Sequence, residues 1–232
     1  SDPTISGAIN TLVVQMKADN IWTKMKAIYP MVGGTASTHK WNLKDPRDLD
    51  AAFRLQFFGG VTHNSNGVTF NATNGYADTY VNDQNNLSIN NKHISMYQRN
   101  ILGDPSGTSM GISSTNRFYL LFAANNYSTF GMTQSPFSAV SPQRGMFIMS
   151  KIINGAFKYF QNNLTPVSKT GTNASENLKY FIGAKCSAGG LPVDYTSANL
   201  ALVSLGEGLS DTDAANLYSA VQAFQTTLSR NV

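Results

Sequence analysis

Apolar and polar positions along this chain separate two helical ends from a long β-rich middle. Near the start, Ile5, Ile9, Leu12, Val13 and Met16 recur at spacings of three and four, which predicts an amphipathic helix. Asp19-Asn20 breaks that pattern. Ile21, Trp22, Met25 and Ile28 then predict a second short helix, stopped by Pro30. At the far end, Ser210 and Asp213 stand at capping-box spacing before Leu217, Val221, Phe224 and Leu228, which form one apolar stripe. A stripe this narrow suits either a seat on a sheet or a trimeric seam.

Between these ends the pattern turns to strands. Phe53, Leu55 and Phe57 alternate with Ala52, Arg54 and Gln56, as in a half-buried strand closed by Gly59-Gly60. The turn-rich stretch 63–75 has room for one short strand. Further strands are predicted at 76–81, 87–89, 93–99, 117–124, 178–184 and 199–205. Long loops are predicted at 31–49, 103–116, 125–143 (holding Tyr127, Phe130 and Phe137) and 186–196. The clearest signal is a three-strand meander from Arg144 to Lys169. Its Asn154-Gly155 suits a type I′ turn, which needs φ > 0 at both central residues. The register from that turn pairs Ile153 with Ala156, Ile152 with Phe157, Ser150 with Tyr159 and Met149 with Phe160. Asn162-Asn163 suits a second such turn. Short strands, frequent turns and almost no βα alternation argue an all-β sandwich.

Composition narrows the classes. The chain has 232 residues, of which 41% are apolar and only 13% charged. Asn, Ser, Thr, Gly and Gln carry the polar surface instead. That suits extracellular and virion proteins; it is equally a compositional habit. The net charge of +4 comes from scattered residues, and Lys40, Lys44, Arg47 and Arg54 are interleaved with Asp45, Asp48 and Asp50. No unopposed basic stripe offers itself to nucleic acid. The longest apolar run, 118–124, is too short to cross a bilayer, and no signal peptide opens the chain. Cys186 is the single cysteine, so no intrachain disulfide forms; a buried small hydrophobe is the expected role, against a reactive thiol. Trp41 is expected against the core rather than as a sugar platform.

Several segments together resemble a known family. They are AAFRLQFFGG, NGYADTYVN, NNLSINNKHISMYQR, the meander, and YFIGAKCSAG leading into LALVSLGEGLSDTDAANLYSAVQAFQTTLSR. They look like the concanavalin A-like lectin/glucanase β-sandwich, and more narrowly its LamG/pentraxin-like variants in phage and other viral structural or fibre proteins. The resemblance covers about Arg47 to Val232. It implies a two-sheet antiparallel jelly roll, glycan binding at the concave face or rim loops, and in some members calcium. Hydrolases of that family carry an E-x-D-x-x-E-type strand. Here the only glutamates, Glu176 and Glu207, lie in no such array, so the paired carboxylates of glycoside hydrolysis are missing.

Other chemistry fares no better. Gly107, Ser109 and Gly111 match G-x-S-x-G but lack the strand before and the helix after that a nucleophile elbow needs. His39, His63 and His93 lack metal spacing. Asp78 and Asp83, near Asn82 and Asn85, are the one local cluster that suggests calcium, with strand-edge chemistry as the alternative. Glu207, between two glycines, reads as a turn. Sugar sites set aromatic faces against the ring and amides against the hydroxyls. The candidates on that ground are His63, Asn64, Asn66, Tyr76, Tyr127, Phe130 and Tyr195.

The expectation is therefore one domain over 1–232: a helical lead-in at 1–30, a jelly-roll sandwich at 47–209 and a helix at 210–230. It is non-enzymatic, has no cofactor beyond possible calcium, and sits on a virion surface or outside the cell. Its expected partners are host-surface glycan and other virion proteins, with a homotrimer as one option, and neither nucleic acid nor membrane insertion. The alternatives are an assembly module without ligand and a carbohydrate-active enzyme of the same fold.

Overall fold

The computed structural model describes residues 2–100, 107–113, 117–123, 127–131, 144–153, 155–163, 165–171 and 174–232. Helix α1 is Pro3–Ala18, followed by β1 (Met25–Tyr29) and the short α2 (Ala36–His39). Strands β2 (Gln56–Phe58), β3 (Val61–Asn64), β4 (Gly67–Phe70) and β5 (Tyr76–Asn82) come next, then a helical turn, α3 (Asp83–Asn86). The middle holds β6 (Lys92–Gln98), β7 (Gly107–Ser113), β8 (Arg117–Ala123), β9 (Tyr127–Gly131), β10 (Gly145–Ile153), β11 (Ala156–Gln161) and β12 (Val167–Thr170). Last come β13 (Lys179–Ile182), β14 (Lys185–Ser187), β15 (Pro192–Val193), β16 (Asn199–Gly206) and α4 (Asp211–Thr227).

Two sheets form a sandwich with a helix near each end of the chain. The first sheet runs β12-β11-β10-β6-β16-β4-β3, with β1 also on β16. The second runs β15-β14-β7-β13-β5-β2, with β8 and β9 joined through β7. Pairing is antiparallel except for β14 on β7, which is parallel. The central strands of the first sheet, β6, β10 and β16, are buried on both faces over most of their length. Ile94, Met96, Phe147, Met149, Val203 and Leu205 face the second sheet. Tyr97, Met146, Ile148, Ala201 and Leu202 face Leu12 and Met16 of α1 and Leu217, Val221 and Phe224 of α4. β10 and β16 accordingly read as near-continuous apolar runs, whereas β6 buries Lys92, His93, Ser95 and Gln98 with polar partners. The helices thus occupy the face of the first sheet that points away from the second.

Both helix starts follow from local chemistry. Asp2 accepts from the Thr4 and Ile5 N–H groups and Pro3 leads α1. Ser210 and Asp213 close the capping box: the Ser210 Oγ accepts from the Asp213 N–H at 3.2 Å, and Asp213 accepts from the Ser210 N–H at 2.8 Å. Ser210→Ala is expected to cost about 1 kcal/mol in urea denaturation; no change would mean that water replaces the cap.

Several expectations change. The second helix, at 21–29, is a single 3-10 turn at Trp22–Lys24 and then β1, because this segment pairs with β16 and its burial is almost continuous. The expected strand from Ala51 shrinks to β2, since a turn covers Asp50–Ala52 and Phe53 is left-handed at φ 59°. The stretch 63–75 supplies a hairpin, β3 to β4, rather than one isolated strand. No strand forms at 87–89, where Ser88 merely bridges Asn91. The expected loops at 103–116 and 125–143 contain β7 and β9, which pair with β8 on either side. The loop at 186–196 contains most of β14 and all of β15.

The meander is present with its register slipped. Ile153 faces Ala156, but beyond a bulge Ser150 faces Lys158, Met149 faces Tyr159 and Ile148 faces Phe160. The bulge has a cause: Ser150 points toward the helices, exchanging bonds with Leu209, whereas Tyr159 belongs to the inter-sheet core. An unbulged register would set those two opposite each other and turn one strand's core face outward. The connection at Asn162-Asn163 is also wider than a two-residue turn, since Tyr159 pairs with Val167.

Candidate functional site

The two sheets join at a corner, where β2 ends and β3 begins. Adjacent side chains on a strand point to opposite faces, so only one of Phe57 and Phe58 can enter the core. Phe57 does, and its ring meets His63 edge-on at 4.5 Å. Phe58 turns outward and is 36% exposed. It stacks on Tyr76, its direct partner on β5, with ring centroids 4.9 Å apart and planes 14° from parallel. Tyr76 also meets Phe181 at 5.0 Å and Tyr195 at 6.4 Å. The result is an outward-facing cluster of rings at one end of the second sheet.

Glycines and amides set its edge. Gly59 is left-handed at φ +67°, and a Cβ on it would lie 2.1 Å from the Asn74 carbonyl oxygen. The Asn74 side chain accepts from the Gly60 N–H at 2.9 Å and from the Asn71 amide at 2.9 Å. The Asn71 Oδ1 accepts the N–H groups of Thr73, Asn74 and Gly75. The corner is thus tied directly to the turn that leads into Tyr76.

Beyond the rings the face is lined with compensated charge. Lys179 pairs with Asp78 and lies over the Tyr80 ring at 4.8 Å. Lys185 pairs with Asp194 and lies over Tyr119 at 5.0 Å. The Tyr80 hydroxyl donates to Gln56. Burial first, and the Asp78 carboxylate second, raise the Tyr76 phenol above its ordinary range.

The sequence-derived candidates divide. Tyr76 and Tyr195 come together. His63, Asn64 and Asn66 lie apart, on the β3–β4 hairpin, with internal duties. The Asn64 Oδ1 accepts from the Asn66 N–H at 2.8 Å and shapes that turn. His63 meets His39 with Nδ1 atoms 3.0 Å apart. The Gly34 N–H donates to His39 Nε2, so in the neutral pair His39 Nδ1 carries the proton and donates it to His63. Tyr127 and Phe130 are strand residues of β9, facing Ala123 and Leu120, rather than loop residues. Phe137 lies outside the described residues. Trp41 is half-buried beneath Lys40, whose ammonium is 4.6 Å from the ring. Phe58 went unnamed, although the Phe57-Phe58 pair before two glycines carried the signal.

Both calcium candidates have protein partners. Asp83 is fully buried between the sheets, where its Oδ1 accepts from Lys92 at 2.5 Å and from the Tyr180 hydroxyl at 2.6 Å. Its Oδ2 accepts from the Glu176 N–H at 3.1 Å. Asp78 is held by Lys179 and by the Tyr80 N–H. Among the described residues no three His, Cys, Asp or Glu side chains gather as a metal set. Ser109 is a buried mid-strand residue donating to Gln98 at 3.0 Å, not a loop serine. Cys186 is buried on β14, and burial pushes its thiol up to about 11, away from thiolate chemistry. Glu207 occupies the turn before α4, its carbonyl 2.5 Å from His93 Nδ1. No described helix is long and apolar enough to cross a membrane.

No protein-family model and no curated protein matches this sequence. Solved structures do match in fold. Domain 4 of AbnA, an extracellular arabinanase from Geobacillus stearothermophilus solved with arabinotriose, aligns with TM-score 0.53 and 15% identity, over 84% of this chain and 98% of that one. The binding domain of botulinum neurotoxin serotype D gives TM-score 0.54 at 9% identity, over 84% of this chain and 51% of that one. The NanB sialidase of Streptococcus pneumoniae gives TM-score 0.50 at 13% identity, over 68% of this chain and 27% of that one. The chain therefore spans about a quarter of the sialidase. At these identities the likeness shows a shared β-sandwich fold.

Proposed function

We propose that this chain is a non-catalytic carbohydrate-binding module of a virion-surface or extracellular protein, with Phe58, Tyr76 and Tyr195 as its sugar platform. The observation that carries the reading is the outward Phe58–Tyr76 stack at the sandwich corner. A pyranose or furanose ring presents C–H groups on one face, and aromatic faces take them. Asn74 lies at the edge of that surface; its Oδ1 is used by the corner itself, and its Nδ2 group can serve a sugar hydroxyl.

Two further points support it. The arabinanase domain of the same fold was solved with a bound trisaccharide. The resemblance to phage and viral fibre modules favours the virion setting. The carboxylates of this face, Asp78 and Asp194, are each held by a lysine, an arrangement for shape rather than proton transfer.

A glycan array with the purified chain tests the proposal. Binding is expected, and Phe58→Ala should weaken it about tenfold, the worth of one lost stacking ring, with thermal stability nearly unchanged. Unaltered binding by Phe58→Ala would remove the platform.

A further inference from the structure

We infer that the Phe58–Tyr76–Tyr195 site selects neutral glycans over sialylated or uronic-acid glycans, an inference that rests on the carbohydrate-binding reading above. An anionic sugar needs an uncommitted cation or a set of free N–H donors at its carboxylate. Among the described side chains, the cations on this face are already committed. Lys179 is bound to Asp78 and Lys185 to Asp194. Farther along, around Tyr80, the Arg54 guanidinium bonds Asp50 at 2.7 Å and approaches Asp48 at 3.3 Å. Among the described residues, four cations (Lys40, Arg54, Lys179 and Lys185) thus face four carboxylates (Asp48, Asp50, Asp78 and Asp194), and each is already paired.

Each pairing is reinforced. Lys179 and Lys185 also lie over tyrosine rings, so freeing either ammonium would break two interactions at once. At the Lys185–Asp194 pair the carboxylate is the more exposed partner, so a bound sugar carboxylate would meet Asp194 before Lys185, and like charges brought together across an interface are a means of exclusion. Neutral hydroxyls meet no such opposition. They can donate to the Asp194 carboxylate, whose side chain is 46% exposed.

The test compares lactose-type and arabinose-type neutral oligosaccharides with their sialylated or uronic-acid counterparts on the same cores, at low salt. The neutral member is expected to bind at least about tenfold more tightly. Asp194→Asn uncovers Lys185 while suiting the backbone, because residue 194 is left-handed at φ 54°, which Asn tolerates. This variant is expected to bring the two members to within about threefold of each other at low salt, with the difference restored by screening at high salt. Preference of the wild-type chain for the anionic member would overturn the inference and leave the platform standing. An undiminished neutral preference in Asp194→Asn would also overturn it, by showing that the ion pair is not the cause. Binding to neither member would overturn the platform itself.

Discussion

Acidification from about pH 7 to about pH 4.5 is expected to remove most of the stability contributed by two buried histidines. Burial lowers His39 to about 4, helped by the neighbouring His63 and Arg230. Burial likewise lowers His93 to about 4, against a raising effect of its bond to the Glu207 carbonyl. In the unfolded chain each titrates near 6.5. Between those values the unfolded state binds protons that the native state refuses, so stability falls as pH drops through the window. Each shift corresponds to about 3 kcal/mol, roughly 6 together, against a typical total of roughly 5–15 for a domain.

The geometry says why the native state refuses. Neutral His93 uses Nδ1–H toward the Glu207 carbonyl and leaves Nε2 to accept from Ser204, which also bonds Ser95. Neutral His39 accepts the Gly34 N–H on Nε2. A second proton turns either acceptor into a donor facing a donor. Urea denaturation across this range checks the result, and His93→Gln should make the pH slope shallower. Stability that stays flat to pH 4.5 would contradict it.

Arg230→Ala is the second large effect, an expected loss of about 3–5 kcal/mol. Arg230 is 2% exposed. Its Nη1 donates to the Met31 carbonyl at 2.8 Å, its Nη2 to those of Pro30 and Ala201 at 3.1 Å each, and its Nε to Gln225 at 2.9 Å. One guanidinium therefore ties the segment after β1, strand β16 and helix α4 together. Alanine leaves a cavity and several carbonyls without this donor, each orphan acceptor costing about 1–3 kcal/mol before relaxation. Lysine would recover little, since it lacks the planar fork. A shift of the urea midpoint worth less than about 1 kcal/mol would show that water fills the site without penalty.

Where the chain was legible, one local pattern matched one environment. The helix stripes of α1 and α4 face a single sheet, and the Ser210–Asp213 box is local by construction. Where it was not, the environment was two-sided or non-local. β1 carries apolar residues at helix-like spacing because strand pairing and helix packing bury it on both faces, which erases the alternation that marks a strand. β7 is rich in Gly, Ser and Thr and reads as a loop; its pairing with β8 and β13 is what extends it. The site shows the same limit. Tyr76 and Tyr195 were readable as aromatics among turn residues, but their meeting depends on the sheet corner. Phe58 was legible only through the rule that neighbouring strand residues face opposite ways.

The central claim is that sugar binds at this corner. The most direct measurement is a map of backbone and aromatic NMR shift changes on titration with a neutral oligosaccharide. The account predicts changes concentrated at Phe58, Gly59, Gly60, Asn74, Tyr76 and Tyr195, with α1, α4 and the hairpin at 63–66 unmoved. Changes centred on that hairpin or on the helices, or none with any oligosaccharide, would contradict it.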